Sequence, residues 1–160
     1  MCSNHPVSVR EPVHRRYEMK GATPRQVYDV VVDFPAYPRL FPEFKQTRVL
    51  ATRPGGVARV EFHAQVVIAV RYVLDLACRP EVPSVEWTFV EGEIVTGSAG
   101  SWRFTPQGPD TIVDYSVSLD VKAPLPGFVL RKVTDGLVSA SLPNMFTSLE
   151  REVRRRQSGR

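Results

Sequence analysis

The stretch 22-ATPRQVYDVVVDFPAYPRLFPEF-44 changes character halfway along. Its first half carries the signals of a helix start: Thr23 as cap, Pro24 at the first helical position and Gln26 three residues after the cap. Val27, Val30 and Val31 then give an apolar stripe at helical spacing. The helix has to stop near Asp33, because Pro35 restricts Phe34 and cannot itself continue the hydrogen-bond ladder. Beyond it, Phe34, Tyr37, Leu40, Phe41 and Phe44 are interleaved with Pro35, Pro38 and Pro42, which reads as a second short helix or a set of turns. No long helix would tolerate these aromatics and prolines.

Working outward, Val7 to Lys20 alternates apolar and polar residues and predicts a first strand. From Phe44 to about Val121 the period stays at two. Ala58, Val60, Phe62, Ala64, Val66, Ile68 and Val70 share one parity, and Tyr72, Leu74, Leu76 and Cys78 continue it. Val85, Trp87 and Phe89, then Trp102 and Phe104, then Val113, Tyr115, Val117, Leu119 and Val121 repeat the pattern after the turn signals "RPEVPS" and "PQGPDT". Turns this close exclude helical crossovers, so the strands are consecutive antiparallel hairpins. From Pro126 to Arg156, Phe128, Val129, Val133, Leu137, Leu142, Met145, Phe146, Leu149 and Val153 recur at threes and fours. That spacing predicts one long amphipathic helix, kinked at Pro143.

The order predicts an α+β fold. A curved antiparallel sheet of about seven strands wraps a long C-terminal helix, and two short helices follow the first strand. A sheet with one apolar face needs one cover, and the last helix is the element able to supply it. The 160 residues form a single domain, 1–160, with an ordered core of about 7–156. Net charge is +4, but Arg151, Arg154, Arg155, Arg156 and Arg160 place it at one end. That end reads either as a contact for RNA, the ribosome or an anionic membrane, or as a solvated helix terminus complementing the dipole. Cys2 and Cys78 make no disulfide framework, "MCSNHPVSVREP" has no apolar signal core, and no apolar run approaches the ~18 residues of a membrane span. A soluble cytoplasmic protein of open oligomeric state is expected.

Chemistry-bearing motifs are sparse. His5, His14 and His63 are far apart and no Cys/His spacing suits zinc, so neither a metal nor a cofactor is expected. No nucleophile elbow, phosphate loop or dinucleotide fingerprint occurs. Inward parity gathers Phe62, Tyr72, Leu74, Trp87, Phe89, Trp102, Phe104, Tyr115 and Val117 from the sheet. Phe41 joins them from the proline segment, and Leu142, Met145 and Phe146 from the last helix. These are the candidate ligand-binding residues, around a pocket of the usual ~300–1,000 Å³. Glu91 shares the parity of Trp87 and Phe89 and is a weak candidate acid or base, with Tyr72, Tyr115 and Ser98 beside it.

Taken together, "VYDVVVDFPAYPRLFP" with Val27, Tyr28, Val31, Asp33, Tyr37, Phe41 and Pro42, then "GSWRFTP" from Gly100 to Pro106, the strand ending at Val121 and the closing helix resemble a known family. They are similar to the helix-grip, START-like superfamily of polyketide cyclases/dehydrases and lipid-transfer proteins, most of all to its coenzyme Q-binding and ribosome-association toxin branch. The resemblance implies that the segment from Phe34 to Phe44 shapes one end of a cavity between sheet and helix. It also implies non-enzymatic binding or transport of a hydrophobic small molecule, such as a lipid, quinone or polyketide. The alternatives are a polyketide aromatase/cyclase or dehydratase, and a ribosome- or RNA-associated regulator acting through the basic end.

Overall fold

The computed structural model describes residues 7–8, 13–65, 68–122, 125–135 and 142–159. Strands β1 (Val7–Ser8) and β2 (Val13–Met19) precede α1 (Pro24–Val31), a 3-10 turn (Phe34–Ala36) and α2 (Tyr37–Leu40). Six strands follow: β3 (Phe44–Arg53), β4 (Val57–Gln65), β5 (Ala69–Arg79), β6 (Ser84–Gly92), β7 (Val95–Gln107) and β8 (Asp110–Val121). Helices α3 (Gly127–Asp135) and α4 (Leu142–Ser158) close the chain. The strands form one antiparallel sheet in the order β1-β8-β7-β6-β5-β4-β3. β1 and β2 both pair with β8, at Val7↔Val121 and Val13↔Val117, so they lie end to end and the sheet is seven strands wide.

Each expected hairpin is present. At "RPGG" the turn into β4 uses Gly55 and Gly56 at φ +87° and +78°, a backbone that favours glycine. Hairpin pairs such as Phe62↔Tyr72 and Leu76↔Trp87 put matching parities on one face, so the period-two pattern becomes a continuous apolar surface. Against it pack Val27, Val30 and Val31 of α1 and Phe146, Leu149 and Val153 of α4, all buried.

The segment read as one long helix is helical over Gly127–Asp135 and Leu142–Ser158; the stretch between them, and with it the expected kink at Pro143, lies outside the described residues. One expectation needs correction: the arginine-rich end is no free tail. Glu152 is buried, with 3% of its side chain exposed, and takes Arg39, Arg155 and Arg156 at 2.7–3.2 Å. Arg156 also reaches Asp33 at 2.7 Å. Arg154 joins Glu150 to the backbone carbonyls of Lys20 and Gly21. These arginines fasten α4 to the β2–α1 turn and to α2, while Arg151 is exposed. No helix among the described residues is long and apolar enough to cross a membrane.

Candidate ligand cavity

The opening stretch folds as its signals suggest. Thr23 Oγ1 accepts from the Gln26 amide at 3.2 Å while the Gln26 side chain accepts from the Thr23 amide at 3.0 Å. At the other end of α1 the aromatic segment caps the helix. Tyr37 Oη donates to the Val31 carbonyl at 2.6 Å, one of the acceptors a helix end leaves unsatisfied. Thr47 Oγ1 donates to the Phe34 carbonyl at 2.5 Å, tying the same segment to β3. So held, Tyr37 meets Phe41 edge-on at 5.0 Å and Phe44 at 5.5 Å. Phe44 meets Phe62 at 5.5 Å, and Phe62 stacks on Tyr72 at 5.4 Å. This run of rings is one wall.

A second wall comes from β6, β7 and β8. Trp102 lies 4.6 Å from Tyr115, and Tyr115 lies 5.9 Å from Trp87. Trp87 crosses over Gly100, where a Cβ would fall 2.2 Å from Cζ2 of the indole, so only glycine admits the ring in this position. Its Nε1 donates to Ser98 Oγ at 3.1 Å. Ser98 faces inward because a register shift between Val95 and Gly97 resets the parity of β7.

Between the walls is a cavity of about 130 Å³, smaller than the range expected from the sequence. The indoles and Tyr115 pack on one another and take up much of the space the curved sheet encloses. What remains suits a single ring: an apolar cavity of ~150 Å³ accepts benzene. Of the candidate residues, Phe41, Phe62, Tyr72, Leu74 and Trp87 line it, as do Trp102, Tyr115, Val117 and Met145.

Phe89 is half-buried against the core, outside the lining. Phe104 turns to Trp102 and Tyr28, and Phe146 stacks on Tyr17 at 5.2 Å, so both belong to the packed core. The Leu142 side chain lies outside the described residues. Glu91 is a correction. The pairing steps from Val73↔Glu91 to Leu74↔Phe89, leaving Val90 as an extra residue. One extra residue reverses every later side chain, so Glu91 stands on the outer face, 60% exposed, 3.5 Å from Arg71.

The cavity's polar groups are few. Tyr72 and Tyr115 line it, and among the described residues neither hydroxyl has a hydrogen-bond partner. Burial pushes both phenols well above the ordinary tyrosine value, so both remain protonated donors. Glu43, Tyr37, Phe44 and Ser98 also line the cavity and were not among the ligand-binding candidates. The signal for Tyr37 and Phe44 was their place in the proline segment. Glu43 sits in a turn, where parity says nothing about direction. Among the described residues no group of His, Cys, Asp and Glu comes together as a metal site.

Comparison with known proteins agrees with this architecture. A START superfamily protein from Mycobacterium smegmatis superposes with a TM-score of 0.72 at 20% identity, over 91% of this chain and 98% of that one. A protein from Thermus thermophilus gives 0.77 at 23% identity, over 89% and 96%. An aromatase/cyclase from Streptomyces sp. R1128 gives 0.75 at 16% identity, over 95% and 96%. At these identities the likeness is one of fold. No curated protein matches the chain in sequence. The family model described as polyketide cyclase / dehydrase and lipid transport matches residues 21–146, which include both aromatic walls. With its sheet, closing helix and interposed cavity, the chain belongs to the polyketide cyclase/dehydrase and lipid transport family.

Proposed function

We propose that this protein binds a ring-bearing hydrophobic small molecule, without chemical change, in the cavity between its two aromatic walls. The observation that carries this reading is an apolar cavity into which two tyrosines bring hydroxyls that no described residue satisfies. Apolar walls supply affinity through burial at ~25 cal/mol per Å² of apolar surface, less the cost of ordering the ligand. Sparse hydroxyls supply orientation, the arrangement common in small-molecule sites. A single ring, or the ring end of a longer quinone, lipid or polyketide, suits the space.

Both tryptophans of the chain line the cavity, so intrinsic fluorescence reports on it directly. Titration with toluene should change that fluorescence and raise the melting temperature, and Phe62→Ala or Trp102→Ala should abolish the response. Native mass spectrometry of protein purified from cells should show an extractable apolar adduct. A protein that is empty by mass spectrometry and silent to toluene in both assays would refute the proposal.

A catalytic reading, as aromatase/cyclase or dehydratase, is favoured by one feature, an acidic residue, Glu43, in the same lining as the two tyrosines. Incubation with a poly-β-ketone chain separates the two. Binding returns it unchanged, while catalysis returns a cyclised or dehydrated product that Glu43→Gln suppresses.

A further inference from the structure

We infer that the cavity selects its ligand by charge, favouring a ring that carries an ammonium or other hydrogen-bond donor and rejecting one that carries a carboxylate. This rests on the binding proposal above and adds the class of molecule bound.

The chain has 21 lysines and arginines, yet among the described residues none lines the cavity. The arginines of the strands that form the walls are held outside. Arg71 is tied to Glu61 at 2.7 Å, Arg59 to Asp75 at 2.9 Å and Arg103 to Glu86 at 3.4 Å. One lining residue is of a charged type, and it is acidic: Glu43. Its backbone is fixed by the Gln65 amide, which donates to the Glu43 carbonyl at 2.8 Å. It falls between Phe41 and Phe44, whose rings belong to the first wall.

Asp33, Glu61, Asp75, Glu91, Glu150 and Glu152 each face an arginine. Glu43, like Glu81 and Glu93, has no such cation among the described residues, and of these three it alone lines the cavity. A carboxylate left without a cation beside an apolar cavity is a ready partner for an ammonium.

The walls act in the same sense. Eight aromatic residues line the cavity, and the face of each ring carries negative electrostatic potential that attracts a cation. An anion entering the same space meets those faces and the Glu43 carboxylate, and it leaves water with no positive group to receive it. Tyr72 and Tyr115 can donate to an anion's oxygens, but they cannot neutralise its charge. They serve a neutral carbonyl or hydroxyl equally well. The electrostatics therefore rank ligands as ammonium, then neutral polar, then carboxylate.

The test uses benzylamine, benzyl alcohol and phenylacetate as probes on the full chain, followed by tryptophan fluorescence and by NMR, with toluene as the uncharged control. Benzylamine should bind about tenfold or more tightly than phenylacetate, with added salt narrowing the gap. Glu43→Gln should narrow the gap between benzylamine and phenylacetate at least severalfold, by weakening benzylamine and admitting phenylacetate. Phenylacetate binding as well as benzylamine would overturn the inference, as would an amine preference that survives Glu43→Gln undiminished. Toluene binding with none of the three polar probes bound would also overturn it while leaving the binding proposal standing. Failure of toluene together with all three would remove the binding proposal itself. Should Glu43→Gln not fold, the ranking of the three probes on the unaltered protein still decides.

Discussion

Replacing Tyr72 or Tyr115 by phenylalanine should leave the empty protein as stable as before, or more so, while weakening its grip on a ligand that hydrogen-bonds. Neither hydroxyl has a partner among the described residues, so neither contributes a protein–protein hydrogen bond that the change would remove. Among the described residues no fully buried side-chain polar atom lacks a partner, so both hydroxyls keep some accessible surface, and the ~1–3 kcal/mol penalty of an unsatisfied buried hydroxyl applies only in part. The expected change per site is therefore between zero and a gain of about 1 kcal/mol, or a rise in melting temperature of up to ~2–4 °C. Ring contacts such as Phe62 on Tyr72 at 5.4 Å survive, because phenylalanine keeps the ring. Binding should move the other way. A net hydrogen bond is worth ~0.5–1.5 kcal/mol, so p-cresol should lose about two- to twelvefold in affinity while toluene loses nothing. Tyr37→Phe provides the contrast: the same atom is deleted, but this hydroxyl caps α1 at Val31 with a 2.6 Å bond. Its removal should destabilise by about 1–2 kcal/mol. Urea unfolding of the three variants, with fluorescence titrations of the two ligands, measures all of this. If Tyr72→Phe and Tyr115→Phe both lose more than ~1 kcal/mol and leave p-cresol affinity untouched, the hydroxyls are structural and the reasoning is wrong.

Gly100→Ala would set a Cβ 2.2 Å from the Trp87 ring and 2.3 Å from the Ser116 carbonyl oxygen, so overpacking should cost about 1–3 kcal/mol and shift the tryptophan emission. Thr23→Ala removes half of the capping box on α1 and should lower stability by ~1 kcal/mol in urea unfolding, with ligand affinity unchanged. The Arg155 hydrogen bond, aided by Arg39 and Arg156, outweighs desolvation and holds Glu152 well below the usual carboxylate range. Its stabilisation is thus full above the unfolded value of ~4.3 and declines as pH falls below it. Glu152→Gln should be less stable by about 1–3 kcal/mol at pH 7, with the gap from the unaltered protein shrinking in melts below about pH 4.

How much of this was legible follows from what each signal measures. Strand parity reports the side of a sheet, and Phe62, Tyr72, Trp87, Trp102 and Tyr115 are on the side it indicated. The cap at Thr23 was legible because every part of it lies within four residues. Parity fails at a bulge, and nothing in "WTFVEG" marks Val90 as the extra residue, so Glu91 was placed on the wrong face. Inwardness also does not distinguish lining from filling. Phe104 and Phe146 point inward as expected, but Tyr28 and Tyr17, remote in sequence, draw them into the core. The partners of Arg154 and Arg156, at Lys20 and Asp33, lie across the whole length of the chain, so a composition reading saw only a basic end.

The persistence of the void itself needs a cause, since interiors pack to crystal density. Here the rings on either side are braced from behind rather than against each other. Tyr37 is pinned by the Val31 carbonyl, Trp87 by Ser98, and Trp102 by Phe146 standing edge-on at 6.2 Å. Among the described residues, no ring contact joins the Tyr37–Tyr72 wall to the Trp87–Trp102–Tyr115 wall. Collapse would require breaking those braces, and each is a buried or part-buried hydrogen bond or a packed ring. A ring that enters without disturbing the braces buries apolar wall at ~25 cal/mol per Å² and meets no cost of opening a space for itself. The same rigidity that keeps the cavity open in the empty protein therefore favours the bound one.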